Sequence, residues 1–188
     1  MEEGHLFKAA TELAQALDRV ADQNLPTRLA DLVKLHAKIA VGSAFIPIPG
    51  ADMAAAGANI WTMYVRINKE LALPFGENAV KSLAAGVVTN LAGGVAGFLV
   101  AGSAFKLVPG LGSLGGAAIM AGTTYGVTIA SGIVYMKAVT KLLLGKALDR
   151  VSAEDLERAT HEIASDRETM REIIKDARKG YKDEKMRN

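Results

Sequence analysis

The chain contains no cysteine, which excludes disulfides, thiolate metal sites and a cysteine nucleophile and leaves the redox compartment open. Excess charge of either sign is missing too: 22 Lys and Arg stand against 20 Asp and Glu, interleaved, for a formal net charge of +2. That balance provides no basic patch for a phosphate backbone, so no nucleic-acid partner is expected. The N-terminus, Met1-Glu2-Glu3-Gly4-His5, lacks the basic start and apolar core of a cleavable signal peptide, so any membrane signal is expected to be internal. No G-x-x-x-x-G-K-[ST] loop is present, and nucleotide binding through a P-loop is not expected. Aromatic residues are few, at 5%, so the apolar half of the composition is mostly aliphatic and small.

The absence that says most is local. Charge disappears from two Gly- and Ala-rich stretches, Ser82 to Phe105 and Leu111 to Met136, separated only by Lys106-Leu107-Val108-Pro109-Gly110. As a helix, each run of about 24 residues rises ~36 Å, against a hydrocarbon core of roughly 30 Å. Two such runs joined by a Pro-Gly turn read as a membrane hairpin. Lys81 precedes the first run and Lys137 follows the second, so both termini are expected to face the cytoplasm.

Around this pair the pattern is helical. From Leu6, the apolar residues Ala10, Leu13, Leu17 and Val20 recur at three- and four-residue spacing, predicting an amphipathic helix that stops near Asn24. Pro26 suits the first turn of a second helix carrying Leu29, Leu32, Val33 and His36. Ile39 to Tyr64 is apolar but interrupted by Pro47 and Pro49-Gly50, and neither half is long enough to span. Beyond Lys137 the chain turns polar, and Ser152 with Asp155 and Ser165 with Glu168 read as N-terminal boxes of two charged helices. Three segments are expected: N-terminal amphipathic helices over 1–35, an apolar double-hairpin membrane domain over 36–148, and charged helices with a frayed tail over 149–188.

The middle segment carries an internal repeat. Gly42-Ser43-Ala44-Phe45 matches Gly102-Ser103-Ala104-Phe105, and Pro49-Gly50 matches Pro109-Gly110 at the same offset. Each unit reads as helix, Pro-Gly elbow, helix. The fold class expected is therefore all-α: membrane-associated helical hairpins in tandem, flanked by amphipathic cytoplasmic helices.

No catalytic constellation emerges. Gly110-Leu111-Gly112-Ser113-Leu114-Gly115 spells a dinucleotide fingerprint, but no strand precedes it and no acid follows at the required distance, so it reads as a turn and a packing surface. His5, His36 and His161 lack a second ligand at metal spacing and are expected on helix faces or the surface; no metal or cofactor is expected. Gly93 with Gly97, Gly112 with Gly116 and Gly122 with Gly126 are small-xxx-small pairs, suited to close helix approach within or between chains. Asp52 follows the first elbow, where it can face a helix N-terminus, and with Asn59 and Asn90 it is a candidate polar site at membrane depth. Trp61 and Tyr64 before Arg66, and Tyr135 before Lys137, suit either a membrane interface or a core.

Phe45-Ile46-Pro47-Ile48-Pro49-Gly50-Ala51-Asp52-Met53, with the later Val108-Pro109-Gly110-Leu111-Gly112, resembles the bacterial membrane-associated family catalogued as domain of unknown function 697, over roughly Val33 to Leu144. The resemblance implies apolar helical hairpins and a GTPase partner, and supplies no catalytic residues. The expectation is a non-enzymatic protein of the bacterial inner membrane that anchors, senses or shapes, and that self-associates. Two alternatives stand beside it: a pore of oligomerised hairpins lined by Asn59, Thr89, Asn90, Thr123 and Thr124, and a soluble helical bundle that buries both runs.

Overall fold

The computed structural model describes residues 2–43, 51–78, 80–81, 83–84, 87, 113–145, 147 and 150–187. Every element among them is a helix, as the all-α expectation requires: α1 (Glu2–Asn24), α2 (Thr27–Ser43), α3 (Ala51–Glu70), α4 (Ser113–Gly145), α5 (Ala153–Ser165) and α6 (Arg167–Arg187). Val80, Leu83, Ala84 and Val87, also helical, contribute buried side chains to the same core.

Local chemistry sets the ends. The Asn24 side-chain amide donates back to the Val20 carbonyl at 2.9 Å, and the Pro26 carbonyl accepts from Leu29 and Ala30, opening α2 as the proline's position predicts. At the end of α3 the Leu73 amide reaches the Asn68 carbonyl at 2.9 Å, a Schellman closure. It turns through Ala72 at φ 51°, a left-handed position that usually falls to glycine. Ser152 caps α5 in the expected box, its hydroxyl accepting from the Asp155 amide at 3.1 Å and its amide donating to the Asp155 carboxylate at 3.2 Å. The second box is displaced by one residue. Ser165 ends α5, and Asp166 caps α6 by accepting from Thr169 at 2.9 Å and Glu168 at 3.4 Å, because its carboxylate reaches two free helix amides at once. Those bonds, the one from Thr169 foremost, hold its carboxyl below the usual range.

Helix α4 is the axis of the assembly. It packs against α1, α2, α3 and α5, while α6 lies along α1. From Tyr125 to Tyr135 every residue of α4 is buried, so the helix is enclosed all round, consistent with its uniformly apolar composition. The surrounding helices are amphipathic: α1 turns Leu13, Leu17 and Val20 inward, and α5 turns Leu156, Ala159 and Ala164 inward.

Side-chain bonds give the directions. Asp22 to Lys34 at 2.7 Å ties α1 antiparallel to α2, and Arg28 to Glu70 at 3.2 Å with His36 to Asn59 at 2.9 Å ties α2 antiparallel to α3. Tyr64 donates to the Ser131 carbonyl and Tyr135 to the Asn68 side chain, both at a sequence offset of 67, so α3 and α4 run parallel. The C-terminus of α2 and the N-termini of α3 and α4 therefore share one end of the bundle. On α2, α3 and α4 Asp52 is the sole charged residue in the stretches 39–65 and 113–136, while α1, antiparallel to α2, brings Glu2, Glu3, Lys8 and Glu12 to the same end. The other end carries Arg28, Lys69, Glu70, Lys137 and Lys141.

Candidate functional site

A buried polar seam runs along the inner helices. His36 sits in the apolar stripe of α2 and is only 2% exposed, so it is a core residue rather than a surface one. Asn59 and Arg66 lie seven residues apart on α3, two turns along one face, and both reach it. The Asn59 amide donates to the His36 carbonyl at 2.9 Å, and its oxygen lies 2.9 Å from Nδ1 of the ring. Arg66 lies 3.2 Å from Nε2. A guanidinium can only donate, so Nε2 accepts and Nδ1 carries the proton given to Asn59. The ring is neutral. Burial first, and then the positive charge of Arg66, hold its pKa below the ordinary value, with the Asn59 bond acting in the opposite direction.

Deeper in the core, Tyr64 and Tyr135 stack with centroids 4.2 Å apart at 15°, and both are fully buried. Tyr64 donates to the Ser131 carbonyl at 3.2 Å, and burial pushes its phenol well above the usual range, so it remains a donor. An interfacial belt position for Tyr64 and Tyr135 is thus overturned in favour of the core, because each ring has a polar partner inside the protein. Trp61 is half-buried; its Nε1 donates to the Glu77 carbonyl at 3.1 Å and its ring lies 5.5 Å below the Lys81 ammonium. Tyr125 donates to Asp18, linking α4 to α1. Within α4 the hydroxyls are satisfied locally, Thr128 by the Thr124 carbonyl and Ser131 by the Thr128 carbonyl, each at 2.9 Å.

This arrangement fixes helices against one another. His36, Asn59, Tyr64 and Tyr135 meet protein partners, while the buried Asn68 Nδ2 has none, and among the described residues the seam holds no nucleophile against a base. Among the described residues, no group of three His, Asp or Glu is placed to hold a metal ion.

The small-residue expectations divide. Gly126 is buried and Gly122 half-buried in α4, and Gly116 lies in the same helix. Gly93, Gly97, Gly112, Asn90 and the elbow residues Pro49, Gly50, Pro109 and Gly110 lie outside the described residues. Asp52 falls in the first turn of α3, where its place after the elbow puts it, and Asn59 serves the His36 bond.

A close helix approach occurs at a glycine that pair-spotting misses. A Cβ on Gly132 would lie 2.6 and 2.8 Å from the two γ-methyls of Val33 on α2. Gly132 has no small partner four residues away, since Thr128 and Met136 flank it at that spacing. A glycine mid-helix, where alanine is more favourable by about 1 kcal/mol, was the available sign.

No family model, curated protein or solved structure matches the chain.

Proposed function

We propose that this chain is a non-enzymatic membrane anchor of the bacterial inner membrane, in which a cytoplasmic helical bundle holds the bases of an apolar hairpin. The observation that carries the reading is the pairing of two facts. The stretch 82–136 contains a single charge, Lys106, and α4, which runs out of it, includes Thr124–Gly145, long and apolar enough by composition to cross a bilayer.

Because residues 125–135 are enclosed by protein, the part assigned to lipid is the distal hairpin, 88–123, leaving the bundle at the end where α2 closes and α3 and α4 open. Its first arm, 88–105, reaches ~27 Å as a helix, enough to enter the hydrocarbon core deeply without requiring α4 to leave its neighbours. Such a hairpin returns to the side it entered, leaving both termini cytoplasmic. The tandem-hairpin arrangement belongs to this proposal: α2 and α3, antiparallel about residues 44–50, form the first unit, and the apolar pair forms the second. Self-association uses small-residue faces such as Gly93 with Gly97, and the polar outer faces of α5 and α6 receive a cytoplasmic partner, a GTPase on the strength of the family resemblance.

One observation favours a second reading: 61% of the apolar window within Thr124–Gly145 is buried inside the assembly, as in the core helix of a soluble bundle. Fractionation separates the two. Untagged protein retained in carbonate-washed membranes, with a cysteine introduced at Gly97 protected from aqueous reagents, is the expected result. Release into the carbonate wash, or free labelling along Gly93 to Phe98, overturns the anchor and leaves the soluble bundle.

A further inference from the structure

The His36 ring, a fixed point between α2 and α3, is compatible with one protonation state only. Its Nδ1 donates to the Asn59 oxygen at 2.9 Å, and its Nε2 accepts from Arg66 at 3.2 Å. A proton added to Nε2 turns that acceptor into a donor and sets two cations 3.2 Å apart. Arg66 is exposed and can swing into water. The ring cannot follow, because it is 2% exposed, and it is left with a second N–H that needs an acceptor.

Among the described residues no acceptor stands ready. The Asn59 oxygen is taken by Nδ1, and the Asn59 amide is itself a donor, to the His36 carbonyl at 2.9 Å. Arg66 is the one charged group that acts on the ring. On α3 the flanking acids are Asp52, seven residues before Asn59, and Glu70, which is bound to Arg28 at 3.2 Å. On α2 itself Asp31 is bound to Lys34 at 3.0 Å, and Lys38 adds only positive charge. From α1, Asp22 is bound to Lys34 at 2.7 Å, Asp18 accepts from Tyr125 of α4, and Arg19 is a further cation. Helix α4 carries no charge between Ser113 and Met136.

Apolar contact holds the two sides of the ring unequally. From the ring toward Arg28 and Glu70 the buried side chains are large: Leu29 and Val33 on α2, and Ile60, Met63, Tyr64 and Ile67 on α3. Toward residues 44–50 they are, among the described residues, Ala37, Ala40 and Ala56, with Val41 half-buried. Alanine removes far less apolar surface from water than leucine or isoleucine, so this half of the hairpin depends more on the bonds of the ring.

We infer that His36 and Arg66 form an acid-released latch: protonation of the ring at Nε2 ejects Arg66 and admits water between α2 and α3, opening the half of the hairpin that carries residues 37–58 while the rest of the bundle stays folded. The released stretch includes the apolar connection Ala44-Phe45-Ile46-Pro47-Ile48-Pro49-Gly50. His36, Asn59 and Arg66 all lie within α2 and α3, so the latch works alike whether lipid or protein covers the distal hairpin, and it does not rest on the anchor reading.

The chain has no cysteine, so spin labels on introduced pairs report single distances. Ile39→Cys with Ala58→Cys labels exposed positions on α2 and α3 beyond the ring, and Gln23→Cys with Lys175→Cys labels exposed positions on α1 and α6 as a reference. Electron–electron double resonance from pH ~7.5 to ~5 should show a longer-distance population at the first pair, rising by up to about thirty-fold, the limit set by a ring that titrates near ~6.5 once released. The reference pair should not move. His36→Asn should abolish the rise, and Arg66→Glu should reverse it, because a carboxylate at that place accepts from the protonated ring. An unchanged first pair, or an opening that persists in His36→Asn, overturns the latch. Joint lengthening of both pairs is acid unfolding of the whole bundle and overturns it too. Should either variant fail to fold by circular dichroism, the two pairs in the parent decide: lengthening confined to the first supports the latch, and any other pattern refutes it.

Discussion

Replacing Gly132 by alanine tests the axis of the fold. In an isolated helix this change is favourable by about 1 kcal/mol, because alanine loses less backbone entropy. Here the new methyl would meet the γ-carbons of Val33 at 2.6 and 2.8 Å, well inside the ~3.5–4.0 Å at which carbon atoms attract. Val33 cannot yield easily: it is fully buried, and its β-branch confines it to one helical rotamer. Overpacking of this kind costs about 1–3 kcal/mol, and with two short contacts the upper half of that range applies. The net expectation for Gly132→Ala is a loss of about 1–2 kcal/mol, or roughly 2–8 °C in melting temperature at this chain length.

Val33→Ala alone removes two buried methyl groups, for about 2–3 kcal/mol including the cavity. In the double variant the alanine at 132 enters that cavity, so the combined loss should fall at least about 1 kcal/mol short of the sum. Thermal unfolding followed by far-UV circular dichroism on the four proteins measures the cycle. A Gly132→Ala protein more stable than its parent, together with additive losses in the double variant, would refute the close approach of α2 to α4.

Two further outcomes follow from the described geometry. Ala72→Gly should raise stability by about 1 kcal/mol, because a left-handed residue at φ 51° is strained for alanine and free for glycine; unchanged or lower stability in the same melts would argue against the Schellman closure at the end of α3. His36 has a lowered pKa in the folded state, so as pH falls below the ordinary histidine value of about 6.5 the unfolded chain takes up the proton more readily. Its stabilising contribution is therefore complete above that pH and declines below it as the folded pKa is approached. His36→Asn should flatten that part of the stability profile, and an identical acid limb in parent and variant would disprove the neutral, buried ring.

Much of the secondary structure was legible in the residues alone, and for reasons that act over a few positions. Pro26 after Asn24 ends one helix and opens the next, Ser152 with Asp155 closes a reciprocal cap, and the three- and four-residue spacing of Leu13, Leu17 and Val20 defines a buried stripe. The error at the second cap is of the same local kind: Ser165 and Asp166 are adjacent candidates, and the carboxylate that reaches two amides wins. His36 already stood in the apolar stripe of α2, but only the arrival of Asn59 and Arg66 from α3 turned it into a neutral core residue with a defined proton.

The sequence by itself determined that the described residues are helical, where the Asn24–Pro26 boundary and the Ser152 cap fall, and that its middle is stripped of charge. Only the tertiary structure decided what surrounds that middle. A uniformly apolar helix has no polar face to mark its outer side, so the run through α4 looks the same whether lipid or protein covers it. Enclosure of residues 125–135, the stacking of Tyr64 on Tyr135 and the approach of Val33 to Gly132 all depend on α1, α2, α3 and α5 arriving from distant parts of the chain. Caps and periodicity are read within one helix, whereas burial of an unpatterned surface is a property of its neighbours.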